Sequence, residues 1–523
     1  MKMDLDQACN LAVENIIQFG CSDITKENLE LSLIKKYKDE FIKDTREKLN
    51  RGSIYEMEFK SIQYILTPKN RYVFDYRKAA LINPSCLAKY ISLTLLAAPK
   101  IEAARIPTSQ NIIYSARFSG ESPAIFNQDI NYSSWKLRVK ELANDPTCAY
   151  VVQCDIASFY DRVNIHRIES TLTSIGIEST LIKKINDLLL LWSKKDSYGI
   201  PVGNVASRIL AEAALIDIDQ YLLSENVIFV RYVDDYRLFA PDLITAQRWM
   251  NLLTTRLFRD GLMLNTGKTK LYLAKKEEGQ EDEKKETPEE ILKKVTMLTG
   301  GYNRIARTFI MPAAEKFDVF KDIPISNIIS EFDKNDIPEF SGIQKLIIAC
   351  LVQKKFDELE SVAKICGKYL YSLEYFSDML KKNADIIPKK NTSSIADLYA
   401  EMINTASFGA LEWHQATLAS LLSHEKFFRK KTLLHIAKSQ TKESVTYPSM
   451  LALEGLKGRL TRAEFLTARE WFDRCDDWEK RRLISASEVL PIEERKAWGK
   501  AIKPLVQSDF LSHKMADEIS KGK

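Results

Sequence analysis

Between Ile228 and Ala240 the chain reads I-F-V-R-Y-V-D-D-Y-R-L-F-A. A β-branched and aromatic run leads into two aspartates, and Tyr236, Leu238 and Phe239 lead out again. Short apolar runs of this kind predict strands. Two strands joined at Asp234-Asp235 make a hairpin whose tip carries two carboxylates. Taken alone, such a pair is most simply a turn, because Asp is a favoured turn residue. The rest of the pattern decides between a turn and a site.

Upstream, Leu5 to Phe19 recurs at helical spacing behind a capping Asp4, and Leu29 to Phe41 predicts a second helix. Residues 64–66 and 72–74 predict two strands about a turn at 68–71, followed by a long apolar helix over 84–98. Val151 and Val152 open a strand that Asp155 closes, and Phe159 and Tyr160 begin the next element. A carboxylate ending a buried strand is costly unless it is paired, solvated or bound to metal. Two helices are expected over 163–192. The cluster G-I-P-V-G-N at 199–204 is a turn leading into an apolar helix through Ile209, Leu210, Ala213 and Ile216. After the double aspartate come a helix over 243–257 and a strand–turn–strand pattern over 261–273, with Lys268 near its turn. Residues 275–290 are mostly Lys and Glu, a solvated loop and a boundary. Beyond about residue 315 helical patterns follow one another without a crisp period. They predict stacked antiparallel pairs, loosely solenoid-like.

The fold class is therefore α+β followed by all-α. Residues 1–60 form an N-terminal helical segment, 61–310 a mixed domain, and 311–523 a helical-repeat-like domain. At 523 residues two or three domains are expected. The net charge of +5 permits nucleic-acid contact without arguing for it. Lys69, Arg71, Arg77, Lys78, Arg105 and Arg117 form a diffuse basic population, either ordinary surface residues or ligands for a triphosphate or nucleic-acid backbone. Eight cysteines without a C-x-x-C pair, and five histidines, speak against a disulfide framework and against a zinc or histidine-rich metal site. The acidic start and the lack of an eighteen-residue apolar run give no signal peptide and no membrane span, so a cytoplasmic protein is expected.

Strand-borne Asp155, the turn–helix at 199–216 and the Asp234-Asp235 hairpin stand in the order that nucleotidyl transfer requires. Carboxylates from separate strands, meeting at one sheet edge, can hold two divalent ions about 3.5–4 Å apart across an in-line displacement. An aromatic after the first Asp can lie against a sugar, and a Lys can protonate the leaving pyrophosphate.

Here the chain resembles the palm of reverse transcriptases. Asp155 with Phe159 and Tyr160 matches motif A, G-I-P-V-G-N-x-x-S-R motif B, Tyr232-Val233-Asp234-Asp235 motif C, and L-N-T-G-K-T motif D. The resemblance implies that Asp155, Asp234 and Asp235, with the Ile156 carbonyl, bind two Mg²⁺ or Mn²⁺ ions. It makes Tyr160 the sugar-discriminating aromatic, with Phe159 beside it. Val202 and Gly203 would lie under the incoming nucleotide, and Lys268 would be the general acid. Arg71 and Arg77 are candidate triphosphate ligands. Val202 departs from the Gln common at its position, and no primer-grip or thumb pattern follows Leu273. A palm with fingers, no recognisable thumb and a long helical C-terminal region is similar to the Abi abortive-infection polymerases of bacteria, AbiK-like and prophage-borne. The segments A-A-L-I-N-P and P-T-S-Q-N-I-I-Y-S-A-R-F add to that likeness. The branch implies antiphage defence, a homo-oligomer, and template-independent synthesis from dNTPs of single-stranded DNA attached to the protein. Tyr37 and Tyr55 are candidate priming hydroxyls that nothing separates from others. A templated reverse transcriptase of the retron or group II kind, and a non-catalytic scaffold, are the competing readings.

Overall fold

The computed structural model describes residues 3–23, 25, 28–68, 76–274, 311–312, 314–332, 337–405, 411–438 and 446–522. Lys69, Arg71, the expected strand at 72–74 and the charged loop 275–290 lie outside the described residues. The strands are β1 (Gln63–Pro68), β2 (Tyr76–Leu81), β3 (Tyr150–Asp155), β4 (Phe229–Tyr232), β5 (Asp235–Ala240) and β6 (Lys270–Leu273). The chain divides into two compact units, Met1–Ile62 with Ile82–Asp282, and Gln63–Leu81 with Glu283–Lys523.

The first unit is built on an antiparallel sheet ordered β4-β5-β3-β6. Its helices are α1 (Leu5–Phe19), α2 (Asn28–Lys36), α3 (Lys38–Leu49), α4 (Pro84–Ala104), α5 (Tyr132–Asn144), α6 (Phe159–Arg162), α7 (Ile165–Ser174), α8 (Ser179–Trp192), α9 (Val205–Ser224) and α10 (Leu243–Arg259). The expected second helix over 29–41 breaks at Tyr37, so α2 and α3 are separate. Helix α4 is apolar on all sides because it is buried on nearly all sides, and the Asn83 side chain caps its start. Helix α5, which the pattern did not announce, begins with a capping box between Asn131 and Ser134.

Alternation along the strands sorts the two sheet faces. Val151, Val230 and Phe239 pack with Trp135, Val139 and Leu142 of α5 on one face. Tyr236, paired across the sheet with Cys154, turns to the other face, where its hydroxyl reaches Asp219 of α9. Burial pushes the Cys154 thiol up to about 12, and all eight cysteines are buried and unbridged.

In the second unit β1 and β2 pair as a hairpin, with Thr67 opposite Arg77. From Phe340 onward, alternate helices stack. Phe340–Val352, Leu373–Lys382, Glu412–Leu422, Tyr447–Leu456, Asp477–Ala486 and Phe510–Ser520 form one continuous layer, with the intervening helices beside it. Each helix pair buries its apolar stripe largely against its neighbours, the logic of a solenoid, and Glu412–Leu422 packs on β1 as well. Gly499 permits one such contact, since a Cβ there would stand 2.7 Å from the backbone nitrogen of Ser520. The protein is thus α+β with a helical-repeat-like region. Among the described residues it is 62% helical, well above the roughly 30–35% of ordinary domains, with many of the helices in the C-terminal region. Among the described residues no helix is long and apolar enough to cross a membrane.

Candidate active site

Only Val233 and Asp234 separate β4 from β5. A two-residue hairpin loop calls for positive φ at its first or at both central residues, a position suited to Gly, Asn or Asp. Val233 occupies it at φ +55° while 5% exposed. A β-branched residue in that region costs on the order of 1–3 kcal/mol and persists only where its surroundings hold it.

That strained turn brings the expected aspartates together. Asp235 is the cross-strand partner of Asp155, and the Ile156 amide donates to the Asp234 carbonyl at 3.1 Å. Burial, then the neighbouring Asp155 charge, pushes the Asp234 carboxyl up to about 7, and the nearby Lys268 offsets only part of this. Burial likewise raises Asp235, against the pull of Arg237, with which it forms an ion pair. Arg237 also lies over the Trp135 ring, 5.1 Å from its centroid.

The L-N-T-G-K segment closes the other side. The Asn265 amide donates to the Asp155 carbonyl at 2.7 Å, and its side chain donates to Asp155 Oδ2 at 3.3 Å. The turn that Asn265 starts carries Lys268 back, so that its Nζ stands 3.1 Å from Asp155 Oδ2. Of the strand–turn–strand pattern expected over 261–273, only the second strand is regular; Leu264 makes a single bridge to Ile156.

Motif B is tied to motif A through the backbone: the Ile200 amide donates to the Tyr160 carbonyl and the Gly199 amide to the Val163 carbonyl, both at 2.9 Å. Gly203 takes φ +99°, and its carbonyl accepts from the Asp23 amide at 3.1 Å. Asn204 caps α9 by accepting from the Ser207 amide. Val202 and Tyr160 are half-buried.

Two expectations need correction. The Phe159 ring is 2% exposed, so it packs edge-on against Tyr160 and is not available to a nucleotide. Arg105 and Arg117 are not surface residues: both are buried and ion-paired, Arg105 to Glu102 and Glu212, Arg117 to Glu102. Neither can serve as a triphosphate ligand without abandoning a buried carboxylate. Arg77 lies on β2, opposite Thr67.

Residues that the sequence did not announce are Asn265, Arg237 and Arg231. Arg231 is 0% exposed in an otherwise apolar strand and is paired with Glu212 and Asp219 of α9. A signal existed: an Arg interrupting an apolar strand, and two acids seven apart, on one face of an apolar helix.

The donor set suits divalent cations. Three carboxylates meet at one sheet end against two cationic side chains, and burial, then the neighbouring Asp155 and Asp235 charges, keeps Asp234 raised. Among the described residues no three acidic, His or Cys side chains are gathered as a metal cage; Asp155 is ion-paired with Lys268 and Asp235 with Arg237.

Residues 97–336 match the family model described as reverse transcriptase (RNA-dependent DNA polymerase), just under half of the chain. The protein therefore carries a reverse-transcriptase family domain, that of a nucleic-acid polymerase of the nucleotidyltransferase class. Polymerases of this family use divalent metal ions. Among solved structures, telomerase from Candida albicans in complex with a TWJ fragment of telomeric RNA overlaps at 12% identity and a TM-score of 0.30, over 68% of this chain and 66% of that one. The corresponding Candida tropicalis complex overlaps at 11% identity and 0.30, over 77% and 70%. Apo telomerase from Candida tropicalis gives 11% and 0.30, over 68% of each chain. The chain thus spans about two thirds of the telomerase chains. No curated protein matches the sequence.

Proposed function

We propose that this protein is a DNA polymerase that joins deoxynucleotides by metal-assisted nucleotidyl transfer, without a template and from a hydroxyl of its own chain, in antiphage abortive infection. The observation that carries the chemical part is the meeting of Asp155, Asp234 and Asp235 at one sheet end about the Val233 turn, with Asn265 and Lys268 on Asp155. The Abi branch is supported by the sequence likeness at A-A-L-I-N-P and Y-S-A-R-F and by the stacked helices of the second unit. That branch also implies a homo-oligomer, a cytoplasmic site and a product linked to protein.

Asp155, Asp234 and the Ile156 carbonyl would hold the ions, with Asp235 beside them. Bound there, Mg²⁺ or Mn²⁺ would stabilise the charge on the attacking and leaving oxygens. Asp234 would bind as its carboxylate. Lys268 would release Asp155 and protonate the departing pyrophosphate. Tyr160 would rest against the sugar and disfavour a 2′-hydroxyl, while Val202 and Gly203 pass beneath the base. Lys268 is exposed enough to make this exchange, with 59% of its side chain open.

The test is incubation of the purified full chain with labelled dNTPs and Mg²⁺ or Mn²⁺, with no nucleic acid added. Label that stays on the denatured protein supports protein priming. Incorporation only with template and primer overturns the template-independent part and leaves an RNA-templated polymerase, as the family description reads. No incorporation under either condition overturns the polymerase reading and leaves a scaffold.

A further inference from the structure

We propose that Arg231 is a positioning residue for the catalytic turn, bracing Val233 so that Asp234 stays aimed at the tip. The proposal rests on the polymerase reading above. Arg231 spends its guanidinium in three directions at once. Nε donates to both carboxylate oxygens of Asp219 at 2.9 and 3.1 Å. Nη2 donates to Asp219 Oδ2 at 2.6 Å and Glu212 Oε2 at 2.8 Å. Nη1 donates to the Val233 carbonyl at 2.9 Å. This last bond fixes the peptide between Val233, the strained residue, and Asp234.

The brace is itself anchored. The Arg231 amide donates to the Ile112 carbonyl at 2.8 Å, and its carbonyl accepts from the Tyr114 amide at 3.0 Å. Glu212 continues to Arg105 at 2.7 Å and to the Ser115 hydroxyl. Arg105 in turn donates to the Ser115 carbonyl at 2.7 Å and the Ala116 carbonyl at 2.9 Å. The Tyr236 hydroxyl donates to Asp219 Oδ1 at 3.0 Å. A buried ion pair needs only the two acids; the bond to Val233 adds nothing to charge balance and acts on the turn alone. Lysine has three donors and no fork, so it cannot grip Asp219 twice and reach Val233 together.

The experiment compares Arg231→Lys with Arg105→Lys, which perturbs the same network without touching Val233. Nucleotide incorporation is measured across metal and dNTP concentrations, alongside melting. Arg231→Lys is expected to lose about 10–100-fold in kcat, the scale of a 1 Å misplacement. It should also need more metal for half-maximal rate, at unchanged dNTP KM. Arg105→Lys should lose less than about threefold in kcat, the scale of one neutral hydrogen bond. Val233→Gly, which accepts positive φ without a brace, should restore at least part of the Arg231→Lys loss. Tyr236→Phe takes one hydrogen bond from Asp219 and leaves every charge, so it should fold and lose about threefold in kcat, again one hydrogen bond. Activity losses that simply follow melting losses across these variants, or no rescue by Val233→Gly, would overturn the proposal. Asp234→Asn is run in parallel. If it retains activity the polymerase assignment fails; if it is inactive while Arg231→Lys matches Arg105→Lys, only the brace fails.

Discussion

Two groups of three acids lie in the first unit, and they differ in how fully their charges are paired. Beneath the hairpin, Glu102, Glu212 and Asp219 meet Arg105, Arg117 and Arg231, charge for charge. Burial alone would raise both Glu212 and Asp219; Arg105 and Arg231 hold the Glu212 carboxyl below its usual range, while burial keeps Asp219 above its own in spite of Arg231. At the tip, Asp155 pairs with Lys268 and Asp235 with Arg237, and burial with the neighbouring carboxylates raises Asp234 to about 7. The first group is closed and structural. The second is short of positive charge at the point where a substrate and its cations would arrive. Buried acids therefore do not mark a site; acids left unbalanced at an open edge do.

The comparison can be broken most severely at the tip. Asp234→Asn should lower nucleotide incorporation by about three orders of magnitude or more, the scale of losing several kcal/mol of charge stabilisation. In the same variant the melting temperature without metal at pH 8 should rise, because a raised carboxyl is a strained one. Incorporation within tenfold of the parent would contradict the first statement, and a lowered melting temperature the second.

Next in size is the closed group. Arg231→Met leaves Asp219 and Glu212 buried without their shared partner, and should cost about 3–5 kcal/mol in denaturant unfolding. A loss under 1 kcal/mol would mean that the network is not closed as described.

Lys268→Ala separates chemistry from stability. Its ion pair with Asp155 is exposed on the lysine side, so unfolding should change by no more than about 1 kcal/mol. Incorporation should fall about 100-fold, the lower range for a general acid. Equal activity would remove Lys268 from the mechanism.

The smallest effect is on pH dependence. An Asp titrates near 3.9 when unfolded and Asp234 near 7 when folded. The proton is thus held more tightly in the folded chain. Its contribution to stability is complete below about pH 4 and is lost as pH rises through 7. Metal-free protein should weaken over that window more than Asp234→Asn does, as pH-resolved melting would record.

Much of the site was legible because its residues punctuate simple patterns. Asp155 ends an apolar strand, Asp234-Asp235 interrupt a hairpin, and Gly203 precedes an apolar helix. What supports them was not. Arg231 meets Glu212 and Asp219 only through the packing of β4 on α9, and nothing local says which charges a fold will bury. Phe159 and Arg117 failed for the same reason: a ring or a guanidinium looks alike in sequence whether it faces a ligand or a core. Helix α5 was missed because its apolar positions are sparse, with Trp135 alone fully buried.

The most direct test of an unbalanced tip is Mn²⁺ binding, followed spectroscopically in the presence of dNTP from pH 6 to 8. Parent protein should bind more tightly as pH passes through about 7, releasing a proton as Asp234 ionises, and Asp234→Asn should lose both the affinity and the pH dependence. Binding that is equal in the two proteins and flat across that range would contradict the account.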